Sequence, residues 1–245
     1  KANKLATLHA GTYLYEIGGA LKEHGLALEN MGDVQAQTIA GAASTATHGT
    51  GITLGSIANQ VVTWEWVDGK GEVHTHHRGD PKTDELGKAL HASLGMLGIF
   101  TKLTLKVVDL YGLKEANEVL GFEEGLARFH ETAHSHRHLE WFLFPAPNKI
   151  QQKTLSVIAP KAMTGTQKLK DHFDSVVTLN GAFYVLCELA RMKPSLTQKV
   201  SEISANSIPN TKREGYSYEV FPTPRGVKFN ESEYFIKLSD FDECI

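Results

Sequence analysis

Gln37–Gly51, QTIAGAASTATHGTG, follows neither the period of a strand nor that of a helix. Gly41, Ala42, Ala43, Ser44, Thr45, Ala46 and Thr47 are all small, so a backbone here can come close to a ligand. Its N–H groups and hydroxyls can then donate to phosphate or carbonyl oxygens. His48 adds a titratable donor, and Gly49 and Gly51 permit positive φ. The segment suits a ribbon laid along a large polar-aromatic cofactor. It suits equally a tight Gly/Ala loop packed on a neighbouring helix. It is neither a Rossmann GxGxxG nor a P-loop, since no Lys-Ser/Thr follows the glycines. A second cluster, SLGMLGI (Ser93–Ile99), sets Gly95 and Gly98 just before a strand, again a sign of close backbone approach.

Upstream of the ribbon, residues 5–10 read as a short strand ended by Gly11. Thr12 is a good N-cap type, and Leu14, Ile17 and Leu21 follow at helical spacing. Gly25 stands where a left-handed C-terminal residue belongs, so a helix is predicted over 13–24. Downstream, VVTWEWV (61–67) and residues 72–76 flank the turn Asp68-Gly69-Lys70-Gly71 and predict a hairpin. A helix is predicted over 83–92. From Thr101 to Val108, Leu103, Leu105 and Val107 alternate with Lys102, Thr104 and Lys106, which predicts a half-buried strand of an antiparallel or mixed sheet. A second region begins near 110. It holds a predicted helix at 122–134 with Phe122, Leu126 and Phe129 on one face, and a strand at 139–144. Signals weaken over 161–213, with a helix expected near 195–204, and another strand is predicted over 227–238. Ser239 can then cap a helix with Asp242 and Glu243 in its first turn. The chain enters a strand almost at once and stops inside that helix, so both ends read as cut from something longer.

With 41% hydrophobic and 22% charged residues, a chain of 245 residues is ordinary for a globular protein and can bury a core without disulfides or metals. A net charge of -3 gives no strongly basic face for nucleic acid. No apolar run approaches the roughly 18 residues of a membrane span, and no signal peptide is visible. The two cysteines, Cys187 and Cys244, form no CxxC, which points to a reducing, cytoplasmic setting.

Three stretches carry a family resemblance: HAGTYLYEIGGALKEHGLALENMGDVQAQTIAGAASTATHGTG (9–51), VVTWEWVDGKGEV (61–73) and SLGMLGIFTKLTLKV (93–107). They are similar to the PCMH-type FAD-binding domain of vanillyl-alcohol oxidase-type flavoproteins, and within these to the sugar-lactone and alditol oxidases. LEWFLFP (139–145) and YEVFPTPRGVKFNESEYFIKL (218–238) extend the resemblance. It implies FAD held in an extended form by the ribbon. Thr38, Gly41, Ala43, Thr45, Ala46, Thr47 and His48 would line the flavin and its pyrophosphate, with Gly98 and Ile99 meeting the cofactor beside them. It also implies an N-terminal pyrophosphate loop and a C-terminal His/Lys pair that this chain does not contain.

In FNESEYF (229–235), a strand puts Glu231 and Glu233 on one face. Two like carboxylates repel unless they meet a cation, a proton or a polar substrate; a solvent-facing strand edge is the plainer account. The family places substrate-side polar residues at this strand. Alditol oxidases carry Glu-x-Arg there, whereas Glu-x-Glu is closer to the lactone oxidases, so a sugar lactone is favoured over a polyol. Glu231 and Glu233 would bind or polarise its hydroxyls.

The expected fold is α+β. Residues 1–109 would form part of the FAD-binding domain, a mixed sheet flanked by helices. Residues 110–245 would form a substrate or cap domain on an antiparallel sheet. The expected activity is oxidation of a CH–OH group by hydride transfer to FAD, with oxygen or another acceptor taking the electrons. The rival expectation is a catalytically incomplete chain that binds a partner, such as complementary segments of the same enzyme. The twelve histidines fall partly in two groups, His74, His76, His77 and His130, His134, His136, His138. No Cys or Asp completes either in sequence, so surface polar positions are expected rather than a metal site.

Overall fold

Strand β1 (Leu5–His9) leads into helix α1 (Leu14–Glu23) in a computed structural model that describes residues 4–207, 212–223, 226–228 and 232–245. The cap of α1 is Tyr13, not Thr12. The Glu16 carboxylate reaches back to accept the Tyr13 N–H at 2.9 Å, while Leu14, Ile17 and Leu21 turn inward. Gly25 closes the helix at φ +68°. Then come β2 (Leu26–Ala27), α2 (Ile39–Ser44), α3 (Ile57–Gln60), the hairpin β3 (Val61–Val67) and β4 (Val73–His77), α4 (Asp84–Leu90), β5 (Ile99–Lys106) and β6 (Val108–Asp109).

The first sheet has the order β1-β5-β3-β4, and β2 pairs with β6. Every pair in it is antiparallel, which corrects the expected mixed sheet. The turn at Asp68–Gly71 forces β4 to run against β3, and β5 runs against both β1 and β3, so no parallel crossover is made. One face of this sheet buries Val61, Trp64, Trp66, Leu103 and Leu105 against α1, α2 and α4. Each large aliphatic side chain so buried contributes roughly 1.5–3 kcal/mol. The other face is polar, with Thr7 against Thr104 and Glu65 against Thr101 and Lys102.

The second sheet is built from β7 (Gly112–Gly121), β8 (His138–Phe144), β9 (Lys149–Ile158) and β10 (Glu214–Tyr216), in the order β10-β7-β9-β8 and again antiparallel. Helix α5 (Phe122–Ser135) separates β7 from β8. Between β9 and β10 run α6 (Gly165–Phe173), a π-helical stretch (Asp174–Ala182), α7 (Phe183–Met192) and α8 (Thr197–Asn206); α9 (Ser217–Val220) follows β10. The main core joins both sheets: Leu113, Leu155, Met163, Val220 and Phe221 continue the cluster begun by Leu14 and Trp64. At this junction α1 touches α9 so closely that a Cβ on Gly18 would lie 2.4 Å from Tyr218.

The strand expected over 227–238 is not formed by the described residues 226–228 and 232–237. The edges of the second sheet are β10 and β8, and residues 232–237 join neither. Glu233 turns instead toward the ribbon at residue 48. The helix expected after Ser239 is short, a 3-10 turn at Leu238–Asp240 and then α10 (Phe241–Cys244), held by Phe241 stacking on Phe129 with ring centroids 3.7 Å apart.

Candidate cofactor and substrate site

Residues 37–51 hold α2, which packs on β5 and α3, and the irregular segment that follows it. Thr38 caps α2, its Oγ1 accepting the Gly41 N–H at 3.2 Å. Thr45 Oγ1 donates to Gly41 O at 3.0 Å and lies 3.3 Å from Thr47 Oγ1, which also meets the Gln37 amide. Gly41 and Thr45 are exposed, and Thr38, Ala46, Thr47 and His48 are half-buried. Ala43 differs: its methyl lies wholly in the core, so only its backbone is left to a ligand. Ala46 sits at φ +56° and Gly51 at +108°.

The second glycine cluster meets the first. Leu94 N donates to Ser44 O at 3.0 Å, which sets residues 93–98 beside the end of α2. Gly98, at φ +127°, passes so close to β3 that a Cβ there would lie 2.2 Å from Val67 O. Next to it Met96 and Ile99 are 83% and 76% exposed. An exposed apolar edge beside two hydroxyls and a histidine suits a ligand that is both aromatic and polar, as FAD is.

His48 Nε2 lies 2.5 Å from Glu233 Oε1, and its Nδ1 lies 2.6 Å from Gly49 O. Phe235 tilts against the ring at 5.7 Å. The pair joins the ribbon to the segment expected to face the substrate, although the described residues there form no strand. A proton on the Nε2–Oε1 line leaves Glu233 Oε2 to accept a hydroxyl hydrogen. Glu231 lies outside the described residues.

The expectation of surface histidines is corrected at two positions. His76 is 4% exposed and accepts a hydrogen bond from, or donates one to, Thr83 Oγ1 at 2.9 Å. His138 is 1% exposed, and its Nδ1 lies 2.9 Å from Thr50 O. Burial, aided by Arg137 and Lys153 and opposed by the Thr50 bond, brings the His138 pKa down to about 4. Both are drawn inside by packing on aromatic rings, Trp64 for His76 and Phe221 for His138. The hairpin also supplies what the sequence order hid: Asp68, Glu72 and His74 hold ligand-type atoms within 4.8 Å of one another. The Asp68 carboxylate there is already engaged by Lys70 N, Glu72 N and His74, which holds it below the usual carboxylate range.

Asn30, His138, Arg137 and Phe221 also brace the ribbon, and sequence reading missed all four. Asn30, 2% exposed, donates to Thr50 O and Gly55 O. Arg137, His138 and Phe221 lie far from the ribbon in the chain, and none of the four shares a local periodic pattern with it, so no sequence signal marks them.

The fold is similar to part of B. sterolicum cholesterol oxidase, with a TM-score of 0.69 at 16% identity over 92% of this chain and 47% of that one. Phl p 4.0202, a glucose dehydrogenase, matches with a TM-score of 0.52 at 16% identity over 63% of this chain and 33% of that one. Residues 1–76 match the FAD binding domain, and the architecture is the PCMH-type FAD-binding fold, whose cofactor is FAD. Residues 103–245 match the family described as D-arabinono-1,4-lactone oxidase, and the chain belongs to that family. The L-gulono-1,4-lactone dehydrogenase of Mycobacterium tuberculosis is 33% identical over 244 residues, which cover 98% of this chain and 55% of that protein. The D-arabinono-1,4-lactone oxidase of Candida albicans is 34% identical over 143 residues, covering 58% of this chain and 25% of that protein. The chain thus spans about half the length of the first of these relatives and a quarter of the second. Among the described residues, no helix is long and apolar enough to cross a membrane.

Proposed function

We propose that this chain supplies the cofactor ribbon and the substrate-side carboxylate of an FAD-dependent oxidoreductase that oxidises a CH–OH group of a sugar-1,4-lactone. The observation that carries the reading is the 2.5 Å contact between His48 and Glu233, which links the ribbon to the segment where substrate is expected. Bound FAD supplies the hydride acceptor, and oxygen or another acceptor then takes the electrons. Thr38, Gly41, Thr45, Ala46, Thr47 and the backbones of Ala43, Gly98 and Ile99 hold the cofactor. Glu233, with Glu231 two residues before it, binds the substrate hydroxyl and takes its proton, while His48 orients the carboxylate. Residues 1–109 serve the cofactor and 110–245 the substrate. The names of the relatives favour this over a chain that only binds a partner, and favour a lactone over a polyol. The two free cysteines, Cys187 and Cys244, suit a cytoplasmic setting.

The test is a visible absorbance spectrum of the complete enzyme, before and after acid precipitation, followed by rates on a sugar-1,4-lactone and on an alditol. The two bands of oxidised flavin and faster lactone turnover are expected. A colourless protein that ignores added FAD, or a preference for the alditol, overturns the reading.

A further inference from the structure

His138, at the head of β8, takes no part in the chemistry above, yet it touches the ribbon from the other sheet. Its Nδ1 faces Thr50 O at 2.9 Å, and its Nε2 is buried with no hydrogen-bond partner among the described residues. That pattern sets the tautomer. Only a protonated Nδ1 can bond a carbonyl, and a bare Nε2 lone pair is a smaller loss than a buried N–H without an acceptor. Phe221 meets the His138 ring edge-on at 4.8 Å, and the same Phe221 reaches to 2.8 Å from where Gly49 would carry a Cβ. Two residues further along the ribbon, the Arg137 carbonyl fills the space of a Gly51 Cβ, at 2.6 Å. The Arg137 guanidinium is itself fixed, donating to Glu29 O at 2.6 Å and lying 5.1 Å over Tyr111. Residues 49–51 are therefore pressed by three side or main chains from the second half of the molecule.

We propose that His138, as the neutral Nδ1–H tautomer, is a positioning residue for the cofactor ribbon: with Arg137 and Phe221 it clamps Gly49–Gly51 and so sets the angle at which His48 meets Glu233 and the cofactor. The inference rests on the ribbon reading of residues 37–51. The charged groups facing the ring are Arg137, its chain neighbour, and Lys153 of β9, which pairs with Glu140 at 3.4 Å. Both are cationic, so a second proton on the ring meets repulsion as well as burial. The ring stays a single donor, and the clamp does not loosen near neutral pH.

The experiment uses the complete enzyme stripped of flavin, with FAD affinity followed by flavin fluorescence. His138→Asn keeps an N–H close to the Nδ1 position; His138→Leu removes it. The expected result is that His138→Leu weakens FAD binding at least about tenfold while His138→Asn stays within about threefold of the parent. Equal affinity for all three proteins overturns the proposal, and so does an equal loss in both variants, which would mean that ring shape alone matters. If the parent itself does not bind FAD, the ribbon reading fails first and takes this inference with it. Should His138→Leu not fold, 15N-histidine NMR of the parent decides. A neutral Nδ1–H signal from about pH 5 to 8 that moves on adding FAD is expected. An Nε2–H tautomer, an imidazolium at about pH 6, or a signal indifferent to FAD overturns the proposal.

Discussion

Ala46 is the strained point of the ribbon. At φ +56° it holds a left-handed backbone that costs an L-residue roughly 1–2 kcal/mol relative to glycine, part of which glycine's greater flexibility offsets. Ala46→Gly is therefore expected to stabilise the fold by about 0.5–1 kcal/mol, seen as a higher urea midpoint with an unchanged slope. An unchanged or lower midpoint would mean that the Ala46 methyl packs favourably enough to offset its backbone. The His48–Glu233 pair makes the opposite prediction. Its side chains are 37% and 53% exposed, so it adds less than about 1 kcal/mol to stability. Glu233→Gln is expected to leave the melting curve in place and lower kcat about a hundredfold or more, the usual loss when a general base is removed. A kcat close to the parent's sinks the base assignment. At this scale the small residues of the ribbon were legible from composition. The inward turn of Ala43 was not, because an alanine in a short helix looks alike on either face.

Among the elements, those with a clean apolar period were found where expected: α1, β3, β5, α5 and β8. The two central strands of the second sheet, β7 and β9, were missed. Their ladder pairs Gly112–Gly121 with Lys149–Ile158 without a break. Yet β9 buries Gln152, Lys153 and Thr154, and β7 buries Glu115, so no apolar alternation appears in either. These polar groups are satisfied from afar: Trp141 Nε1 donates to Gln152 at 3.0 Å, and Glu140 pairs with Lys153. The head of β8 makes a pH prediction. The unfolded chain takes up a proton at His138 near pH 6.5, whereas the folded one resists it down to about 4. Stability from this residue is thus fully present above about pH 6.5 and is lost as pH falls toward 4, on the order of 3 kcal/mol in all. Urea unfolding of the parent and of His138→Asn at several pH values between 7 and 4 checks this. The parent should lose more stability than the variant as pH falls, and parallel curves would show that His138 titrates freely.

Across the whole molecule, the second sheet is tied to the helices beyond it through Arg213. Its guanidinium contacts Glu115 at 3.3 Å, Asp171 at 2.7 Å and the carbonyls of Glu219 and Pro222. The Glu115 side chain is only 4% exposed and also accepts from Asn117 Nδ2 at 2.7 Å, so removing the Arg213 guanidinium takes a cation away from a buried carboxylate. Arg213→Leu is expected to cost roughly 3–5 kcal/mol, and adding Glu115→Leu should recover most of that. Thermal melts of the two variants check it, and a double variant no better than the single one would place the loss in packing instead of charge. The shared core at Leu113, Leu155, Val220 and Phe221 makes the two halves lean on each other, although the sequence reads as two regions meeting near residue 110.

The sequence by itself determined the α+β class, the first sheet's strands and the run of small residues at 37–51, because each of these writes a local signal: a period, a turn, or a composition too small to obstruct a close approach. Only the tertiary structure decided the strand order of the two sheets, the purely antiparallel pairing of the first, the approach of residues 93–98 to Ser44, and the meeting of Glu233 with His48. It also decided the burial of His138 against Thr50. These depend on groups up to 185 positions apart in the chain, and a contact at that separation is set by how whole elements pack, which leaves no periodic trace in either partner's neighbourhood.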